Sequence, residues 1–304
     1  MERWTTAQIN SQSGRSFVVT GANSGLGFET ARQLAVHGAR VTLTCRSDAK
    51  GRAAVDRIRA ESPGALVEFR VLDLADLDSV RAFAAAVTSD PITVDVLVNN
   101  AGVMFPPRAL TRQGFESQFA TNHLGHFALT ALLFDTICRG GDARVVTVSS
   151  LEHKRGSIHF DDLTGERSYS PRGFYQQSKF ANVLFGLELD RRVREAGIPV
   201  RSLLVHPGWA STNLQTSAPT GAMKQLMKVG NRLLAQSAEI GALSQLYVAV
   251  DPAAGSGCFY GPDGLGELRG YPTVVQPAES ARNKETARRL WEVSEELTGV
   301  TFRF

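Results

Sequence analysis

The chain has 304 residues, of which 43% are apolar and 21% charged, values of a globular protein long enough to bury a full core. A net charge of +3 argues against a strongly electrostatic nucleic-acid binder. Cys45, Cys138 and Cys258 are too few and too scattered for a disulfide framework or a Cys/His metal cluster, so a reducing cytoplasmic setting is expected.

Met1 to Gly14 is polar and lacks the apolar core of a signal peptide. Phe17 to Thr20 reads as a buried strand, followed by a glycine-rich turn and a helix from Gly25 to His37 that Gly38 closes. Val41–Thr44 is a second strand, and a helix from Ala49 to Glu61 ends at Pro63 and Gly64. Leu66–Val71 is a third strand and Leu77–Val87 a third helix. Val94–Val98 is a fourth strand, followed by a long helix over Gly114–Cys138. Arg144–Ser149 is a fifth strand, Phe174–Ala196 a helix, and Val200–Val205 a sixth strand. Leu214 to Leu234 is amphipathic and reads either as a mobile cover or as an ordinary packing helix. No stretch approaches the ~20 apolar residues that span a bilayer, so no membrane partner is expected.

Strands alternating with helices imply an α/β fold: a doubly wound parallel sheet of about seven strands with helices on both faces. No linker divides the chain, so 1–304 reads as a single domain, with a core at 15–206 and a substrate cover at 207–304. Ligands of such sheets bind beyond the carboxyl ends of the strands, at the switch point of strand order.

The turn Gly21-Ala22-Asn23-Ser24-Gly25-Leu26-Gly27 stands between the first strand and the first helix. Its glycines let backbone amides approach a pyrophosphate at the helix N-terminus. The second strand ends Thr44-Cys45-Arg46, without the carboxylate that would hold the ribose hydroxyls of NAD. Arg46 is suited to a 2′-phosphate, and Ser24 is a second donor for it, which favours NADP over NAD. Asp48 is the rival for the ribose, although it reads better as the cap of the following helix.

Tyr175 and Lys179 are four apart, one turn along the same helix face. A phenol ionises near pKa ~10, and an adjacent ammonium would bring it towards the working range of an acid/base group.

In this order the motifs resemble those of the short-chain dehydrogenase/reductase family. They are Thr20 to Gly27, Asp73-Leu74, Asn99-Asn100-Ala101-Gly102, Asn122, Ser150, Tyr175 to Lys179, and Pro207-Gly208 followed by Thr212. Asn122 to Phe127, Val148 to Ser150 and Asn283 to Ala287 resemble its retinol-dehydrogenase-like branch. The resemblance implies a single-domain Rossmann fold binding a nicotinamide dinucleotide. It implies that Asp73 meets the adenine (its other reading is a helix cap), that Gly102 leaves room for the adenosine ribose, and that Asn99 ties neighbouring strands. Ser150 would donate to the substrate oxygen, with Ser149 as the alternate. Tyr175 would exchange a proton with that oxygen. Lys179 would hold the nicotinamide ribose and lower the phenol's pKa, and Asn122 would hold a relay water. Thr212 would touch the nicotinamide amide or the pyrophosphate.

Tyr175 follows Ser150 by 25 residues, a wider gap than in many members, so Leu151–Arg172 reads as an insertion above the site, as in the retinol-dehydrogenase-like branch. The implied activity is NADP-dependent hydride transfer between nicotinamide and a carbonyl or alcohol, reduction being the expected direction. The alternatives are a non-catalytic NADP-sensing regulator and a ketoreductase that tailors a biosynthetic product. Met104, Phe105, Tyr169 and Trp209 suggest an apolar small-molecule substrate, and family analogy suggests a homodimer through the two long helices. Helix packing is expected of His123 and His126, solvated loop positions of His153 and His159, and a positional role of His206.

Overall fold

The computed structural model describes residues 3–91, 93–209 and 236–304. Eight strands form one sheet: β1 (Ser16–Thr20), β2 (Arg40–Cys45), β3 (Val67–Val71), β4 (Val96–Asn99), β5 (Arg144–Val148), β6 (Arg201–Val205), β7 (Phe259–Pro262) and β8 (Pro272–Val275). Their order is β3-β2-β1-β4-β5-β6-β7-β8, and every pairing is parallel except that of β7 with β8. The expected sheet of about seven parallel strands thus gains an antiparallel edge strand. The order reverses between β1 and β4, which pair directly with Val18 opposite Leu97.

The helices are α1 (Gly25–Val36), α2 (Asp48–Glu61), α3 (Leu77–Thr88), α4 (Ser117–Phe119), α5 (Gly125–Cys138), α6 (Pro171–Glu195), α7 (Ala238–Val250) and α8 (Lys284–Thr298). Alternate strand residues feed opposite faces. Phe17 and Val19 join one core with Ala31, Leu34, Ile58 and Leu246. Val18 and Leu97 join the other with Val80, Phe83, Leu133 and Leu189. Covered on both faces, the strands read as continuous apolar runs.

Three details depart from the expected elements. The long helix begins at Ser117, because the buried Glu116 carboxylate caps it by accepting from the amides of Gln118 and Phe119. A π-helical turn, Ala120–Leu124, then interrupts it before α5. The caps of α2 and α3 are Ser47 and Asp76, each accepting from the first turn, so neither Asp48 nor Asp73 has that role.

α8 lies across α5 and α6, where the homodimer was expected. Trp291 stacks on Phe185 at 5.7 Å and meets Phe127 edge-on at 5.1 Å. Phe302 packs on Phe134 at 5.4 Å. Among the described residues, no helix is long and apolar enough to cross a membrane.

Candidate active site

The glycine turn leaves β1 beside the loop that leaves β4. Gly21 (φ +65°) and Gly25 (φ +59°) adopt left-handed backbone, which only glycine accepts cheaply. A Cβ on Gly21 would lie 2.9 Å from Ala101, and one on Gly27 would lie 2.4 Å from Asn100 Nδ2 and 2.6 Å from the Gly21 carbonyl. Neither site tolerates a side chain. Asn23 and Leu26 complete the half-buried turn. Ser24 is the N-cap of α1 but makes no side-chain cap bond, and the first turn carries no acidic residue. A helix N-terminus whose capping hydroxyl makes no cap bond, with no acidic residue in its first turn and a glycine cradle, fits an anionic pyrophosphate.

Thr20 is the hinge of this corner, and the motif reading gave it no role of its own. Its Oγ1 accepts from the amides of Asn100 and Ala101, both at 2.9 Å, and lies 2.9 Å from His126 Nε2. Asn100 donates to the Thr20 carbonyl at 2.7 Å and accepts from Gln245 at 3.1 Å. Thr20 and Asn100 thereby lock the carboxyl ends of β1 and β4 together across the switch point. Asn99 donates to Thr130 at 2.9 Å, which ties β4 to α5 rather than to a strand.

Arg46 is exposed at the end of β2, with no ion-pair partner among the described residues. Asp48 is instead held by Arg52 at 2.7 Å, away from the ribose role. Asp73 is half-buried after β3, accepting from the Ala75 amide at 3.0 Å, and Leu74 is buried against α5, where its carbonyl excludes any side chain at Gly125.

β5 delivers Ser149 and Ser150 to the same edge. Ser149 donates its hydroxyl to the Lys179 carbonyl at 2.8 Å, so it is already engaged. Ser150 faces Tyr175, and its hydrogen bond favours the phenolate. Burial outweighs that bond: it pushes the Tyr175 phenol up to about 12, and the Glu152 charge adds to the rise. Lys179 is buried as well, which brings its ammonium down to about 8. Its Nζ donates to the Val148 carbonyl at 3.2 Å and stands 5.9 Å from the Tyr175 ring centroid. Burial thus works against the lowering expected from Lys179, which is not among the causes of the shift in this structure.

Asn122, on the π-turn, is fully buried. Its Nδ2 donates to the Val103 carbonyl at 3.0 Å and to Ser178 Oγ at 2.9 Å, while Oδ1 accepts from the Val103 amide at 2.8 Å. A Cβ on Gly102 would lie 3.2 Å from that Oδ1 and 3.6 Å from Lys179 Nζ, so Gly102, Asn122 and Lys179 share one small space.

Phe105 has φ +58°, a strained conformation for an aromatic residue, and its ring meets Tyr175 edge-on at 5.2 Å. The Gln118 side chain holds it there by accepting from the Phe105 amide at 2.9 Å. Tyr169 turns away, donating to the Pro106 carbonyl at 2.9 Å. Pro207 and Gly208 follow β6: the Pro207 carbonyl accepts from Gln236 at 2.7 Å, and Gly208 (φ +67°) passes within reach of the Leu268 carbonyl. Trp209 donates its amide to that carbonyl at 2.7 Å. Thr212 and the 214–234 stretch lie outside the described residues.

His153 corrects the expectation of a solvated loop: it is 0% exposed. His206 is likewise buried, against Glu267 at 3.0 Å. Among the described residues, no group of three His, Cys, Asp or Glu could hold a metal. A shallow cleft of about 30 Å³ lies at the opposite, amino edge of the sheet, where Arg70 is already paired with Glu68 and Asp90.

A doubly wound sheet, a glycine-lined anion turn at its switch point and a buried Ser/Tyr/Lys set beside that turn define a dinucleotide-dependent redox enzyme. The comparisons give the family: the short chain dehydrogenase model matches residues 15–222. Human retinol dehydrogenase 13 is 42% identical over 293 residues, covering 94% of this chain and 85% of its own. The crystal structure of an uncharacterised Mycobacterium paratuberculosis protein covers 100% of both chains at 42% identity and TM-score 0.81. A Beutenbergia cavernae protein described as an NAD(P)-dependent gluconate 5-dehydrogenase, solved with NADP at low occupancy, is 27% identical and covers 80% of this chain and 92% of its own at TM-score 0.63. The chain belongs to the short-chain dehydrogenase/reductase family, in its retinol-dehydrogenase-like branch, and is an NAD(P)-dependent oxidoreductase.

Proposed function

We propose that the chain reduces the carbonyl of an apolar small molecule with NADPH and runs in reverse as an alcohol dehydrogenase. The observation that carries this reading is the convergence of the Ser150 and Tyr175 hydroxyls, with the Lys179 ammonium buried behind them, beside the switch-point turn. Gly21, Asn23, Ser24, Gly25, Leu26 and Gly27 would hold the pyrophosphate, and Arg46 with Ser24 the 2′-phosphate. Asp73, Leu74, Asn100, Ala101 and Gly102 would border the adenosine, with Lys179, Pro207, Gly208 and Thr212 on the nicotinamide side. The bound cofactor would supply the hydride.

The chain's own residues manage the charge. As negative charge grows on the substrate oxygen, the Ser150 and Tyr175 donors stabilise it more than the ground-state carbonyl. Tyr175, a phenol at neutral pH, then gives up its proton, which is the direction reduction requires. Lys179 would steady the resulting phenolate, and the space over Gly102 between Asn122 Oδ1 and Lys179 Nζ is where we place the relay water. NADP is favoured because Arg46 has no ion-pair partner among the described residues while Asp48 is held by Arg52. Phe105 against Tyr175 supports an apolar substrate, and the names of the relatives make retinoid-sized alcohols and aldehydes the first to try. The free cysteines support a reducing, cytoplasmic setting.

The test is NADPH consumption against a panel of aldehydes and ketones, with NADH alongside. Turnover should fall by about 10²–10⁴ in Tyr175→Phe while cofactor binding persists. A parent protein that binds NADPH but turns over nothing, or a Tyr175→Phe variant as active as the parent, would sink the reading.

A further inference from the structure

His153 sits in the 3-10 turn Leu151–Arg155, which follows β5 and has Ser150 as its N-cap. Its Nε2 accepts from the amide of Ala278 at 3.1 Å. An amide nitrogen can only donate, so the ring proton is on Nδ1. Nδ1 donates to the Ser150 carbonyl at 2.6 Å, and the His153 amide donates to the same oxygen at 3.0 Å. The ring packs edge-on against Phe259 at 5.1 Å. Burial pushes the imidazole down to about 4, which keeps the ring neutral around pH 7, and the two hydrogen bonds fix its tautomer. Lys154 makes a parallel tie: it pairs with Glu267 at 2.6 Å, Glu267 meets His206 Nε2 at 3.0 Å, and His206 Nδ1 accepts from the Gly208 amide at 3.2 Å. Among the described residues, the Ser150 side chain has only a long bond from the Glu152 amide, 3.3 Å, besides its contact with Tyr175.

We propose that His153 is a positioning residue: braced by the Ala278 amide, it fixes the Ser150 main chain through its carbonyl and so aims the serine hydroxyl at Tyr175. The inference rests on the assignment of Ser150 and Tyr175 as the groups that meet the substrate oxygen. The Ala278 amide fixes the tautomer of the ring, and the Nδ1 donor to Ser150 is the contact that sets the pair.

Two substitutions separate the two ends of the ring. Asparagine keeps a donor near the Nδ1 position and loses the acceptor for Ala278. Glutamine keeps an acceptor near Nε2 and loses the donor to Ser150. We expect His153→Asn to stay within about threefold of the parent kcat, and His153→Gln and His153→Ala to fall by about 10- to 100-fold, with the KM for NADPH unchanged in all three. A second readout needs no turnover. The ¹³Cζ resonance of Tyr175, assigned by its loss in Tyr175→Phe, should move in His153→Gln and stay in His153→Asn. Equal kcat in the two variants, or a loss of activity with no movement of that resonance, overturns the proposal. If the parent turns over no carbonyl, the proposed function fails, and the resonance still decides whether His153 sets Ser150 against Tyr175.

Discussion

Lys179 is a charge kept where solvation opposes it. Its ammonium has an ordinary value of 10.5, and burial lowers it to about 8 in the fold. Between pH 8 and 10.5 the unfolded chain therefore binds a proton that the folded chain does not, so this group makes stability rise with pH across that window. Below pH 8 the full penalty applies. Lys179→Met should accordingly raise the thermal midpoint at pH 7 by a few degrees, at about 2–4 °C per kcal/mol for a chain of this size or somewhat less, while abolishing turnover. Melting curves at pH 7 and pH 10 check this; a variant less stable than the parent at pH 7 contradicts it. At the other end of the cofactor cradle, Arg46 is exposed and contributes nothing to the core. Arg46→Ala should raise the KM for NADPH by about tenfold and leave that for NADH unchanged, since one charge-assisted contact to a phosphate is worth about 1.5–3 kcal/mol. Equal changes for both cofactors would move the 2′-phosphate elsewhere.

The turn after β1 shows how an element can be legible while its partners are not. The spacing of Gly21, Gly25 and Gly27 identifies the turn, but the reason Gly27 must be glycine is Asn100, which arrives from β4. Gly27→Ala should weaken NADPH binding by at least about tenfold, because the methyl group displaces Asn100 and the Gly21 carbonyl by several tenths of an ångström, and small misplacements at such sites are expensive. Titration of cofactor fluorescence checks it. The central strands were readable because burial on both faces makes them plain apolar runs, as in Val96-Leu97-Val98, while the edge strand β3 was readable although Glu68 and Arg70 interrupt it. β8 was not: it starts at a proline, exposes Thr273 and Val274, and exists because it pairs with β7. The π-turn at Ala120–Leu124 leaves too small a phase change in the apolar pattern to be noticed. Asp73 read as a possible cap of α3 because it precedes that helix, and the path of the chain gives the role to Asp76. His153 looked like a loop residue because the groups that bury it, Ala278 and Phe259, come from elsewhere in the chain.

At the scale of the whole molecule, α8 packs on α5 and α6, the two helices through which analogy suggests a pairing of copies. Any pairing of two copies through those helices must use what α8 leaves uncovered. The same compactness carries an acid liability. Burial holds His123 at about 3 and His126 and His153 at about 4, and His206 is lowered too. From pH 6.5 down towards pH 4 the unfolded chain binds protons that the folded chain refuses, so stability falls as pH falls. Three such groups give a slope of up to about 4 kcal/mol per pH unit at its steepest. Urea midpoints should hold near neutrality and drop sharply below pH 6.5; a flat profile to pH 4.5 would mean that these rings are charged or open in the fold. The tryptophans, finally, sit at three depths: Trp291 is 2% exposed, Trp4 8% and Trp209 38%. The long-wavelength edge of the emission spectrum thus belongs mainly to Trp209, whose backbone is pinned to Leu268 right after Pro207-Gly208. The protein carries its own optical reporter just beyond β6, readable by quenching with no label attached.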